Sequence, residues 1–160
     1  MDINLIIVAV YSYLLGSIPF GKIVTKVLTG KDITKTGSQN IGATNVLRAG
    51  NKFIAGLTLF LDISKGIVPI LITNYYFPNL IYLSGLMAFL GHIFPVWLKF
   101  KGGKGVATYL GILFALSIQL SFLFIFTWIV VSLIFRYSSL SSMFGSDSYT
   151  HLTLPTILLV

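Results

Sequence analysis

The sequence predicts an all-α protein, a polytopic transmembrane helical bundle, and three observations carry that prediction. Of the 160 residues, 56% are hydrophobic and 9% charged, and the mean hydropathy is +0.92; a soluble domain carries roughly a quarter of its residues as charges. The apolar runs are long and unbroken, suited to membrane helices of about 20 residues and not to the alternating strands of a barrel. The basic residues lie between these runs, where they set orientation instead of interrupting a span.

The runs can be drawn in order as Ile3 to Val24, Phe53 to Phe77, Leu80 to Leu98 and Val106 to Phe135. The last is too long for one crossing, and the polar pause Ser117-Ile118-Gln119 divides it, giving about five spans. Charge tests this count. Lys22, Lys26, Lys31, Lys35, Arg48 and Lys52 follow the first run, and five crossings return Lys99, Lys101, Lys104 and Arg136 to the same side. The opposite turns, Asn74 to Asn79 and Ser117 to Gln119, hold no Lys or Arg, so the N-terminus is expected outside and the basic loops in the cytoplasm. Only Asp2 precedes the first run, without a basic n-region, so that run reads as a retained helix and not a signal peptide. Tyr75, Tyr76, Tyr82 and Trp97 fall near span ends, as interfacial aromatics do.

Composition also excludes. With no Cys, disulfides, thiol nucleophiles and Cys-based metal sites are absent. The net charge of +7 is spread as punctuation between spans, which argues for membrane lipid as the neighbour and against nucleic acid. Nothing in the pattern marks an obligate protein partner. No second His or carboxylate cluster accompanies His92, so neither a metal nor an organic cofactor is expected.

Two segments carry chemical potential. The first, Gly37-Ser38-Gln39-Asn40-Ile41-Gly42-Ala43-Thr44-Asn45-Val46-Leu47-Arg48, combines glycines, short polar side chains and a planar guanidinium. Such a set suits an anionic substrate; a helix-capping turn with Ser38 or Asn40 as N-cap fits the composition equally well. In the second, Lys99-Phe100-Lys101-Gly102-Gly103-Lys104-Gly105-Val106-Ala107-Thr108, a glycine turn flanked by lysines opens an apolar helix. Unpaired N–H groups and the positive dipole end at a helix start bind phosphate. The spacing is not that of a nucleotide-binding P-loop, and a topogenic loop touching anionic lipid is the competing reading. Within the second span, Asp62 and Lys65 share a helix face and are expected to neutralise each other as a buried pair, an ion path being the functional rival. His92, just before Pro95, is open to two roles, general base or helix-packing residue.

Four motifs in register, Gly16-Ser17-Ile18-Pro19-Phe20-Gly21, the segment from Gly37 to Arg48, Gly91-His92-Ile93-Phe94-Pro95-Val96 and Lys101 to Thr108, resemble those of the bacterial acylphosphate:glycerol-3-phosphate acyltransferases. The resemblance covers residues 1 to about 143. It implies a polytopic inner-membrane enzyme that transfers an acyl group from acyl phosphate to glycerol 3-phosphate, giving lysophosphatidic acid in the first committed step of phospholipid synthesis. It further implies a catalytic centre of Ser38, Arg48, Lys104 and Ser142. Asn40, Thr44, Asn45, Lys101, Gly102, Gly103, Gly105, Ser139 and His92 would bind substrate, facing the cytoplasm. Acyl phosphate already has a good leaving group, so the task is to bring two anions together and stabilise an oxyanion. With so few carboxylates, a substrate phosphate oxygen is the expected proton acceptor.

The chain departs from the pattern at two places. Gln39 stands where the family usually has Gly, a strained choice if φ there is positive. The family continues for about two more helices to a third motif with Asn, His, Arg and Glu, which nothing after Met143 resembles. Residues 1–143 are therefore expected to be an incomplete acyltransferase domain, and residues 144–160, including His151, a non-family tail from truncation or assembly. The alternative function is a small transporter for an anionic phosphorylated metabolite; a lipid-binding scaffold ranks below it. Polar motifs on one side and no inverted repeat weigh against transport.

Overall fold

A computed structural model describes residues 2–135, in two units divided between Leu116 and Ser117. Arg136, Ser139, Ser142 and the tail from 144 lie outside the described residues. The first unit contains α1 (Ile3–Gly16), α2 (Phe20–Thr29), α3 (Ala43–Arg48), α4 (Lys52–Tyr76), α5 (Ile81–Ile93) and α6 (Val106–Leu116). The described part of the second is α7 (Ile118–Phe135).

Three segments, Ile3–Thr29, Lys52–Tyr76 and Pro78–Leu98, are long and apolar enough to cross a membrane, and two shorter apolar helices follow. The long last run breaks at Ser117, as expected, although α6, at 11 residues, rises only about 16 Å. The first span differs from the continuous helix the sequence predicts. It stops at Gly16 and restarts at Phe20, because Pro19 has no N–H to give the ladder and disfavours helical backbone at Ile18.

Between lipid-exposed helices there is little hydrophobic drive, so association depends on close approach of backbones and on buried polar contacts. Both are visible. α1 and α5 run parallel, with Ser12 Oγ 2.9 Å from Ser84 Oγ and the Tyr13 hydroxyl donating to Phe94 O at 2.6 Å. Gly16 lies so close to the Ala88 backbone, and Gly91 to Tyr13 and Ser17, that a Cβ on either would overlap its neighbour. α4 runs antiparallel to this pair: Thr58 adjoins Gly21, Lys65 reaches Ile18 O, and Thr73 hydrogen-bonds Tyr11. Pro69 sits inside α4, and its carbonyl accepts from Thr73 Oγ1 at 2.7 Å. α6 doubles back along α5, with Thr108 at His92 and Ile112 at Gly85. It meets α4 through Gly66 and Gly111, each against the other helix's backbone. Large apolar side chains such as Phe60, Leu71 and Leu86 point outward, the inverse of a soluble core.

These directions bring the C-terminal ends of α1 and α5 to the N-terminal ends of α4 and α6. Both polar segments of the sequence therefore emerge at one end of the first unit. The glycine seam predicts that Gly16→Val will lower the thermal unfolding temperature in detergent sharply, by the cost of parting α1 and α5. Gly56→Ala, where nothing lies within 4 Å of a new Cβ, should raise stability by about 1 kcal/mol through helix propensity alone.

Candidate active site

The segment from Gly30 to Asn51 is seated before it is shaped. Ile33 and Val46 join Ile54 and Ala55 of α4 in one buried cluster, against which Val24 of α2 packs. The Ile41 carbonyl lies on Gly21, where any side chain would displace it. Asp32 caps a 3-10 turn at Ile33–Lys35, accepting from Thr34 N at 3.0 Å and Thr34 Oγ1 at 2.7 Å, and Lys22 Nζ lies 3.7 Å from its other oxygen. The Thr34 hydrogen bonds, helped by Lys22 and Lys35, hold the Asp32 carboxyl below the usual carboxylate value. The contribution to stability is present above the ordinary carboxylate pKa and is lost as pH falls through the lowered one.

Asn45 organises what remains. It is buried, and its Nδ2 lies 3.1 Å from Ile33 O, 3.0 Å from Thr36 O and 2.9 Å from Asn40 O, while Oδ1 accepts from Ser38 N at 2.9 Å. Every polar atom of this side chain thus serves the loop's own backbone. Gly37, at φ 56°, lets the chain pass Asn45 Oδ1 where a Cβ would collide. Neither Ser38 nor Asn40 is the N-cap of α3, contrary to the capping expectation; Gly42 holds that position, and Asn40 Oδ1 instead accepts from Gly42 N at 3.0 Å in an Asx turn. Ser38 is exposed, as are Thr44 and Arg48, which lie one turn apart on the same face of α3. Gln39 has φ 58°, the left-handed region in which the family's Gly would be unstrained.

The second segment begins where Pro95 follows α5. Lys99 and Phe100 have φ of 52° and 63°, a tight reversal closed by Phe100 N donating to Pro95 O at 3.0 Å. Gly102 N then donates to Ile93 O at 3.0 Å and Gly103 N to His92 O at 3.2 Å. Side chains at these two glycines would overlap the α5 carbonyls and the His92 ring respectively. Both N–H groups are thus engaged by α5, so these glycines give the turn its shape, and the groups it leaves to the surface are the Lys101 and Lys104 ammonium groups. Both lysines are exposed. Gly105, at φ 80°, packs on Phe89.

His92 is buried, 3% exposed, with Nδ1 3.0 Å from Thr108 Oγ1 and 4.0 Å from Asp62 Oδ1. It touches the glycine turn, not open water. The expected Asp62–Lys65 pair is present at 2.8 Å and equally buried. The structure therefore gathers Asn40, Asn45 and Ser38 in one network and His92, Gly102 and Gly103 in another, at the same end of the unit. Sequence reasoning missed the ties that anchor them: Thr108 to His92, Lys65 to Ile18, and Trp97 Nε1 donating to Ser17 Oγ at 2.8 Å. It also missed a groove of about 450 Å³ between α2 and the Val96–Leu98 turn, with Lys22 and Lys26 beside Ile23, Val27 and Leu98. The i, i+4 pairing of those lysines and of those aliphatics was the available signal.

The glycerol-3-phosphate acyltransferase family profile matches residues 6–159. The chain belongs to that family. Among its acyltransferase relatives, the glycerol-3-phosphate acyltransferase of Pelagibacter ubique (strain HTCC1062) is 59% identical over 141 residues, covering 88% of this chain and 74% of the relative. That of Mesorhizobium japonicum (strain LMG 29417 / CECT 9101 / MAFF 303099) is 52% identical over 143 residues, covering 89% and 73%. The crystal structure of PlsY (YgiH), an integral membrane glycerol 3-phosphate acyltransferase in its glycerol 3-phosphate form, superposes with a TM-score of 0.86 at 40% identity, covering 95% of this chain and 78% of that one. Its lysophosphatidic acid form gives 0.84 at 38% identity, covering 95% and 77%. This acyltransferase is accordingly a multi-pass membrane protein, and the transporter reading has no support.

The loop geometry predicts that Gln39→Gly will stabilise the protein by about 1 kcal/mol by relieving left-handed strain. Asn45→Ala should cost about 3 kcal/mol by removing several hydrogen bonds at once. Asn45→Asp should be no better, because it sets a carboxylate against three carbonyls; thermal or denaturant unfolding in detergent reads all three.

Proposed function

We propose that this acyltransferase moves an acyl group from acyl phosphate to glycerol 3-phosphate, giving lysophosphatidic acid, at the cytoplasmic face of the bacterial inner membrane with its N-terminus outside. The observation that carries the proposal is the meeting of two cationic, glycine-shaped segments at one end of the bundle, each braced from below by buried polar groups. Two phosphate-bearing reactants repel each other, and a surface with exposed Arg48, Lys101 and Lys104 offsets that repulsion where they must touch.

In this reading Arg48 and Lys104 hold phosphate and Ser38 lies at the reacting carbonyl, with Thr44 and Asn40 lining the site. The first turn of α6 contributes N–H donors to an anion. The glycerol hydroxyl attacks the acyl carbonyl, the new C–O ester bond forms as the anhydride C–O bond breaks, and inorganic phosphate leaves. The hydroxyl proton passes to a phosphate oxygen, since the only acidic side chains in the described unit besides Asp2 are Asp32 and Asp62, each already paired with a lysine. The groove beside α2, apolar along its length and bearing Lys22 and Lys26, matches an acyl chain joined to an anion. Ser139 and Ser142 are assigned to the same centre by their place in the family pattern.

The test is a purified chain given acyl phosphate and glycerol 3-phosphate, with lysophosphatidic acid read by mass spectrometry and acyl-CoA as the comparison donor. Product is expected with acyl phosphate alone. Arg48→Ala and Lys104→Ala should each reduce turnover at least about 100-fold while the protein still inserts and unfolds cooperatively; full activity in both would refute the assignment.

A further inference from the structure

The mechanism above makes no use of the most costly group of side chains in the protein. Asp62, Lys65 and His92 are each about 3% exposed and lie within membrane-crossing segments, where ionisable groups are expensive and need a reason. A buried ion pair is a weak source of stability, since well-packed apolar residues of similar volume often serve as well or better. What an apolar pair cannot do is visible in the contacts. Lys65 Nζ donates to Ile18 O at 2.7 Å and lies 5.7 Å from the centre of the Phe20 ring. Ile18 is at the break between α1 and α2, where Pro19 ends the ladder; its carbonyl accepts Phe20 N, two residues on, at 3.0 Å and takes the Lys65 ammonium as a second donor. Lys65 is fixed in turn by Asp62 at 2.8 Å, and Asp62 Oδ1 lies 4.0 Å from His92 Nδ1.

His92 is the far end of this chain of contacts and the platform of the glycine turn. Its Nδ1 meets Thr108 Oγ1, in the first turn of α6. Its Nε2 lies against Gly103, and its carbonyl accepts the Gly103 N–H at 3.2 Å. The turn that carries Lys101 and Lys104 is thus held by the backbone of α5 and lies against the His92 imidazole, whose other ring nitrogen Thr108 of α6 engages.

We propose that Asp62, Lys65 and His92, with Thr108, are positioning residues for the phosphate-binding turn: they couple the α1–α2 break to Gly102–Gly103 and so set where Lys101 and Lys104 stand. This rests on the reading that this turn holds substrate phosphate. On this proposal the four side chains act through the turn and not by their own contact with substrate. Their effect is on the geometry of groups that do, and such geometry is read as a change in substrate affinity apart from a change in folding.

The experiment compares the full chain with Asp62→Asn/Lys65→Met, in which both charges are removed together, and with Thr108→Val, which deletes one hydroxyl and keeps the shape. Thermal unfolding in detergent is measured beside KM and kcat for glycerol 3-phosphate. The double variant should unfold within a few degrees of the parent, with KM raised about tenfold and kcat changed much less; Thr108→Val should move KM in the same direction by a smaller factor. Parental KM in a folded double variant would overturn the proposal, and so would parental KM in Thr108→Val should the double variant fail to fold. A parent chain with no saturable dependence on glycerol 3-phosphate would instead overturn the functional reading, and this inference with it.

Discussion

A bilayer offers no water to an unpaired backbone group, so wherever a helix breaks inside it the protein itself must supply the missing partner. Two such breaks determine this structure. At Ile18 the partners are the Phe20 N–H just beyond the break and a lysine ammonium from α4. After α5 the partners are the N–H groups of Gly102 and Gly103, which return to the carbonyls of Ile93 and His92. Because both breaks fall at the same end of their helices, the repairs fall together, and the chain's polar segments gather there. The position of the site follows from how the protein keeps its backbone satisfied.

Labour at that end is divided by depth. Buried polar groups hold: Asn45 is consumed by four contacts to the loop around it, and His92 by the glycine turn and Thr108. The groups proposed to meet substrate, Ser38, Thr44, Arg48, Lys101 and Lys104, are exposed. Asn45 and Arg48 are neighbours in one motif and face opposite tasks, the first inward and the second outward. With four acidic residues in the chain against eleven basic ones, and Asp32 and Asp62 already paired, the exposed surface keeps a surplus of positive charge. Two anionic reactants require that surplus.

Much of this was legible in the sequence because hydropathy and charge record the solvent directly. The all-helical membrane class, the break at Ser117, the Asp62–Lys65 pair and the grouping of the two glycine-rich segments follow from apolar run length, polar interruptions and the alternation of basic loops. The interruption at Ser17–Pro19 was overlooked because the hydropathy of the first run continues across it, while Pro19 stops the ladder for a steric reason that hydropathy does not weigh. The ties of Thr108, Trp97 and Lys65 were hidden for another reason: they join positions 16 to 80 residues apart, and local pattern holds no information about such pairs. Gln39 was the reverse case. A departure at one position predicted strain if φ were positive, and the backbone there is left-handed.

The most direct test of the account is sidedness. The chain has no cysteine, so single cysteines placed at exposed positions such as Lys35, Lys52, Lys99 and Lys101 can be labelled one at a time with a membrane-impermeant maleimide in sealed, oriented vesicles. All four are expected to react from the same side, the cytoplasmic one. Labelling of the first two and the last two from opposite faces would contradict it.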